Sequence, residues 1–336
     1  MKGWRIIVLL LTKKDIQRIF TMQAAIDADK QAFRIYSEGG SDIPLRVSIS
    51  APSYEGQTLF MPGYVEKLDS MGVKIVSVFP HNSKKNIPSV PATMVLIDGT
   101  SGEVCCVLDG TYLTQLRTGA AAGAATDLLA RADAQIGALI GTGGQAITQL
   151  EAMLTVRKLS EVRICGTNFE RTQSFVAQRQ AEFANFQTLL RAVETSEEAI
   201  TNADIITAVT TSRRPVFNGH LVKAGAHING VGSYRPDMQE LDEVILQRAA
   251  KIFFDSQEAV LAEAGDFIIP LAKGTLTIDK FTGEIGQALL NNLPGRETPE
   301  EITLFKTVGI AVLDIVTAHQ IYQSALQQDI GQKFLF

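Results

Sequence analysis

The residues best placed to do chemistry lie at 141–146, Gly141-Thr142-Gly143-Gly144-Gln145-Ala146. They follow the apolar run "AQIGALI" and open the helix-like stretch "QAITQLEAMLTVRKL". In a strand–turn–helix, G-x-G-x-x-A spacing gives a tight turn at the first glycine and backbone access for a pyrophosphate at the second. The alanine then keeps helix and strand close. The free N–H groups at the helix start favour phosphate. A strand–helix turn with no ligand is the plainer alternative. In NAD sites of this kind an acid ends the next strand and holds the adenine ribose. Here that strand reads "EVRICGTNFER", with Gly166, Thr167 and Asn168 where the acid would stand. No carboxylate is there to repel a 2′-phosphate, and Thr167, Asn168 and Arg171 can bind one. NADP(H) is therefore favoured, with NAD(H) open, and Arg171 also reads as a solvated helix residue.

Lys74 interrupts the apolar strand "GVKIVSV". A buried unpaired ammonium is costly, so a core position is not expected. The readings left are a functional lysine or an exposed lysine on an edge strand. His81, His220, His227 and His319 show no pairing that suggests a triad or a metal site, and His227, in an apolar strand, reads as a satisfied core residue. Cys105, Cys106 and Cys165 have no metal-ligand spacing and read as reduced thiols of a cytoplasmic protein.

These residues need elements to hold them. From about residue 134 the text alternates strand-like and helix-like pieces, the pattern of a parallel α/β sheet. "AQIGALIG", "EVRICG", "ADIITAVTT", "AHINGVG" and "KIFFDS" supply strands. Helices come from 145–159, with Ala146, Leu150, Met153 and Leu154 on one face, and from "FERTQSFVAQRQAEF"; "TSEEAI" offers a capping box from Thr195 to Glu198. Before residue 130 the pattern is different. "VKIVSVF", "ATMVLIDG" and "EVCCVLDG" read as strands joined by tight turns, with a hairpin around Gly99–Gly102. "EEITLFKTVGIAVLDIVTAHQIYQSALQQ" reads as one long amphipathic helix, with Val308, Val312 and Ile315 on one side, returning to the first domain.

The chain has 336 residues, enough for two domains, with a net charge of −5 and no basic cluster, which argues against nucleic acid. Lys2 and Arg5 before an apolar run have the look of a signal peptide. The run from Ile6 to Leu11 is too short, however, and a strand leading into a helix capped near Thr12 fits better. No later segment is apolar enough for a membrane span.

Several segments, taken together with the loop, resemble the ornithine cyclodeaminase/mu-crystallin family. They are "PLRVSI" at 44–49, "MGVKIVSVFP" at 71–80, "DGTYLTQLRTGAAAGAATDLLA" at 109–130, "AGAHINGVGSYRPDMQELD" at 224–242 and "LFKTVGIAVLDIV" at 304–316. The resemblance implies an α/β fold. A Rossmann NAD(P)-binding domain would span 121–310, and a second α+β substrate-binding and dimerisation domain 1–120 with 311–336. It implies NAD(P)-dependent chemistry at carbon–nitrogen bonds, a small imino or amino acid substrate and a homodimer. By the resemblance Arg46 and Arg117 grip the substrate carboxylate, as guanidinium forks do, and Lys74 is the active-site lysine. A structural ion pair is the plainer alternative for both arginines. Cofactor contacts fall on Thr93, Arg117, Gly143, Gly144, Gln145, Thr210, Thr211, Val231 and Thr307, beside Gly141. The threonines also read as strand-end turn residues.

One position departs from the pattern. Where ornithine cyclodeaminases and the related alanine dehydrogenase place an aspartate, "VGSYRPDMQE" has Tyr234. A phenol cannot hold a substrate ammonium as a carboxylate can. Asp237 reads as the cap of a helix "MQELDEVILQ" rather than as a replacement acid. The expectation is therefore reduction of a cyclic or linear 2-imino acid, such as Δ1-pyrroline-2-carboxylate or Δ1-piperideine-2-carboxylate. Ornithine cyclodeamination is the alternative, and a non-catalytic mu-crystallin-like, NADP-dependent ligand binder the further one.

Overall fold

The computed structural model describes residues 7–85 and 87–335, so Lys2 and Arg5 lie outside the described residues. The chain divides into two compact units, Met1–Arg117 with Ile310–Phe336, and Thr118–Gly309.

In the first unit, the apolar run forms strand β1 (Ile7–Leu11) and leads into helix α1 (Lys13–Ile19). Thr12 caps this helix, as the sequence leads one to expect, and forms a reciprocal capping box with Asp15. Helix α2 (Met22–Ser37) buries Ala25, Ile26, Asp29, Ala32 and Phe33, a helical stripe with one acid in it. Strands β2 (Ser41–Asp42), β3 (Val47–Ala51), β4 (Gly56–Val65), β5 (Ser70–Val78), β6 (Ala92–Asp98) and β7 (Val104–Asp109) follow. β4 to β7 form an antiparallel meander, and β5 lies inside it between β4 and β6. The β6–β7 turn is the expected hairpin. Asp98 accepts from Thr100 N at 2.8 Å, and Gly102 takes φ +76°. Helix α3 (Gly110–Leu129) carries the boundary between the units.

In the second unit, β8 (Ile136–Ile140), α4 (Ala146–Val156), β9 (Glu161–Cys165), α5 (Phe169–Glu182) and β10 (Leu189–Ala192) come first. Next are α6 (Ser196–Ile200), β11 (Ile205–Ala208), β12 (His227–Gly230), α7 (Glu243–Arg248) and β13 (Lys251–Phe254). Then α8 (Gln257–Glu263), α9 (Gly265–Lys273), β14 (Gly283–Glu284), α10 (Ile285–Leu289) and β15 (Thr303–Lys306) complete it. The sheet runs β10-β9-β8-β11-β12-β15-β13-β14, with every pairing parallel. This is the doubly wound arrangement, and the strand order reverses between β8 and β11. Thr195 caps α6 by accepting from Glu198 N at 3.1 Å, the half of the expected box that is present. The small residues of "RTGAAAGAA" let α3 come close to α4. A Cβ on Gly119 would stand 2.4 Å from the Thr148 carbonyl oxygen.

Helix α11 (Ala311–Gln327) and strand β16 (Gln332–Leu335) return the chain to the first unit, where β16 pairs β1 and α11 packs on α2 and β4. The single long helix expected over the C-terminal segment is corrected here. Thr303–Lys306 is a strand between β12 and β13, and Gly309 at φ +79° precedes the helix. A short run buried on both faces carries no strand period, so pattern alone cannot tell it from helix. Val308 accordingly lies outside the helix.

Candidate active site

The meander puts Lys74 on the face of β5 that it shares with Ser70, Gly72 and Val76, opposite Met61 of β4 and Met94 of β6. Its side chain is 1% exposed, so neither the edge-strand reading nor the expectation against a core position holds. Burial is tolerated because the charge is paired. Nζ donates to both carboxylate oxygens of Asp314 on α11, at 2.7 and 2.6 Å. Arg117, near the middle of α3 and 5% exposed, places Nε 2.9 Å from Asp314 Oδ1, an ion pair without hydrogen-bond alignment. Burial, with the positive charges of Arg117 and Arg46 opposed by Asp314, brings the Lys74 ammonium down to about 7. A buried lysine poised near neutrality can give or take a proton under ordinary conditions. Arg46, half-buried, thus acts on Lys74 through its charge. Thr93 is an exposed residue of β6, paired with Ile75 beside Lys74 in the register.

In the second unit, the glycine loop joins β8 to α4 at the reversal of strand order, where open α/β sheets bind ligands. Gly141 takes φ +112°, and a Cβ there would lie 2.6 Å from the Val209 carbonyl oxygen, so only glycine fits the turn. A Cβ on Gly143 would meet nothing within 4 Å, and Gly143 and Gly144 are exposed at the start of α4. Ala146 is fully buried. Gln145 keeps a buried Oε1 without a hydrogen-bond partner. An open glycine cradle on a helix N-terminus, with an orphaned acceptor beside it, fits a dinucleotide pyrophosphate.

At the end of β9, Gly166 packs against Thr142 and Thr172, while Thr167 and Arg171 are exposed. Asn168 caps α5, its Oδ1 accepting from Arg171 N at 2.8 Å. No acid stands in this turn.

The strand-end residues are fixed by carboxylates that sequence reasoning missed. Glu240, fully buried, accepts from Thr210 N and Gly232 N at 2.5 Å each and from Ser233 N at 3.1 Å, tying the loops after β11 and β12 together. Asp255 accepts from Thr307 Oγ1 at 2.6 Å and from Gly309 N at 2.7 Å, holding the loop after β15. The Thr307 hydroxyl is thereby occupied. Thr210 Oγ1 accepts from Ser212 N at 3.2 Å, the turn role that was its alternative. Thr211 is exposed and Val231 buried. His227 is a satisfied core histidine, bonded to Thr303 Oγ1 at 2.9 Å and Asn229 Oδ1 at 3.1 Å.

Asp237 caps no helix, because α7 starts only at Glu243 and Asp242 caps it. Instead Asp237 pairs with Arg213 at 3.2 Å and Arg235 at 3.0 Å at the surface. The intervening residues are held otherwise: the backbone N–H groups of Glu240 and Leu241 donate to buried Asp266. Tyr234 is half-buried, and burial raises its phenol above the usual value.

Asp314 is the main residue missed. Its signal was the one that marked Lys74: a lone charge in an apolar run, "GIAVLDIVTA".

The family model for the ornithine cyclodeaminase/mu-crystallin family matches residues 8–329. A Δ1-pyrroline-2-carboxylate reductase of Bacillus cereus is 35% identical over 98% of this chain and the whole of its own. The solved structure of Thermococcus litoralis Δ1-pyrroline-2-carboxylate reductase with NADH and L-proline superposes with a TM-score of 0.92 at 36% identity, covering 96% of this chain and 99% of that one. An archaeal alanine dehydrogenase dimer with bound NAD superposes at 0.90 and 32% identity, covering 98% and 99%. With its doubly wound sheet, glycine loop and Lys74–Asp314–Arg117 cluster, this chain belongs to the ornithine cyclodeaminase/mu-crystallin family.

Proposed function

We propose that this protein is a nicotinamide-dependent oxidoreductase that reduces a small cyclic 2-imino acid to the amino acid. Δ1-Pyrroline-2-carboxylate, which would give proline, is the leading substrate and Δ1-piperideine-2-carboxylate the next. The observation that carries this reading is the buried Lys74–Asp314–Arg117 cluster, in a chain that also has a dinucleotide loop. When bound, the dinucleotide supplies the hydride that adds to the imine carbon. Gly141, Gly143, Gly144 and Gln145 would hold its pyrophosphate, with Thr210, Thr211, Val231 and Thr307 at the strand ends and Thr93 and Arg117 as further contacts. Arg46 and Arg117 pair the substrate carboxylate. Lys74, at about 7, provides the proton that the imine nitrogen needs as its double bond to carbon becomes single.

For the cofactor, the phosphorylated form is favoured. No acid ends β9, and Thr167 and Arg171, both exposed, with Asn168, are the side chains that would meet a 2′-phosphate. The solved relatives above carry NAD or NADH. Arg171→Glu should therefore lower kcat/KM for NADPH about tenfold or more and leave NADH nearly untouched; equal effects on both would reject the assignment. A homodimer is proposed, with the exposed apolar side chains of Val47 and Ile49 on β3 as candidates for the contact. Free Cys105, Cys106 and Cys165 suit a cytoplasmic setting.

Incubation with each cyclic imino acid and NADPH or NADH, followed at the nicotinamide absorbance, is the direct test. Turnover is expected with at least one, and none with any 2-imino acid would overturn the reading. Proline and ammonia from ornithine would favour cyclodeamination despite Tyr234.

A further inference from the structure

Beside the Lys74 cluster lies a buried carboxyl group that the proposed reaction does not use. Asp29, on α2, is fully buried. Thr317 Oγ1 donates to its Oδ1 at 3.0 Å, while Oδ2 has no hydrogen-bond partner. Thr317 stands one helical turn after Asp314 on α11, so the helix that holds the lysine's counter-ion also holds this acid. The charges acting on Asp29 come from Arg117 of α3 and Asp314 of α11, and Lys74 of β5 is joined to it through Asp314. The neighbouring link between these helices is neutral, Gln320 Nε2 to Gln31 Oε1 at 2.7 Å.

Two states of Asp29 can be compared. Ionised, it would leave a buried anionic oxygen without a donor, and with Asp314 it would cancel the charges of Lys74 and Arg117. Protonated, it keeps the hydrogen bond from Thr317 and adds no charge, so the cluster carries one net positive charge when Lys74 is protonated. With the Arg46 charge that also acts on Lys74, this leaves the site cationic and suited to an anionic substrate carboxylate. Burial, outweighing the pull of Arg117 and Thr317, holds the Asp29 carboxyl well above the usual carboxylate range.

We infer that Asp29 is a positioning residue that works as a neutral acid, setting the charge of the Lys74–Arg117–Asp314 cluster so that it accepts an anionic substrate. Its ionisation removes one unit of positive charge from the site and weakens substrate binding. The substrate part of this inference rests on the imino acid reading proposed above, but the protonation state of Asp29 does not.

Three measurements test it. First, carbon-13 NMR of aspartate-labelled protein, with Asp29→Asn to assign the signal, should show the Asp29 carboxyl protonated at pH 7; an ionised signal there overturns the proposal, whatever the substrate proves to be. Second, with wild type turning over Δ1-pyrroline-2-carboxylate, Asp29→Asn should keep KM within about threefold at pH 7 and lose one ionisation from the alkaline rise of KM. A tenfold higher KM at pH 7, or a profile superimposable on wild type, would overturn the role. Third, Thr317→Val withdraws the donor that favours the ionised form, so the alkaline rise should move to higher pH. No movement would count against the role even if the Asp29 variant fails to fold. Absence of wild-type turnover strikes the imino acid reading, and the NMR result still decides the protonation of Asp29.

Discussion

At the scale of single residues, the proposed chemistry turns on an ammonium that burial brings down to about 7. Because Lys74 must be charged to deliver a proton, kcat/KM for imine reduction should fall as pH rises through about 7, while amine oxidation gains over the same interval. Rates followed at the nicotinamide absorbance across pH would check both directions. Lys74→Met should cost roughly 10²–10⁴ in rate and flatten the profile. Asp314→Asn makes a second prediction. Without the anion that opposes burial, the Lys74 ammonium falls further, so the profile should shift to lower pH. Removing one partner of a buried pair should also destabilise the fold by about 3–5 kcal/mol, seen in denaturant unfolding. Lys74 was legible in the sequence because a charge among strand residues is conspicuous. Asp314 carries the same local signal, but that it meets Lys74 was not legible, because the two come together only when α11 is laid against β5.

At the scale of elements, the second unit was the easier to read. Its strands alternate with helices, and its glycine loop lies where the period changes from two to nearly four residues. β15 was misread because "TLFK" is buried on both faces and merges with the apolar text of α11. The cap expected at Asp237 failed for a related reason: the segment after it is ordered by buried Asp266 and Glu240, which are long-range partners. The close approach of α3 and α4 gives a prediction at this scale. Gly119→Ala would put a methyl 2.4 Å from the Thr148 carbonyl oxygen, so the helices must separate. A loss of about 1–3 kcal/mol is expected in unfolding experiments.

For the whole molecule, the proton kept on Asp29 links stability to pH. Its folded-state pKa is raised above the ordinary value of 3.8, so the unfolded chain releases a proton that the native state retains. Below that value both states are protonated and the group contributes its full stability. As pH rises towards the folded value, stability drops by about 1.4 kcal/mol per unit. Asp29→Asn removes this dependence, so its Tm should gain on wild type progressively as pH rises above 3.8 towards the folded value. A constant Tm difference across that range would contradict the linkage.

The pairing of Lys74 with Asp314 spans 240 positions, and the entire dinucleotide-type unit lies between the two partners in the chain. During synthesis the meander is complete long before its counter-ion has been made. Until α11 has been made, the face of the meander that it covers stays open, so the Lys74 ammonium keeps its water and needs no anion. The helix that takes the water away is the one that brings the carboxylate, so the charge is dried and matched in a single closing step of folding.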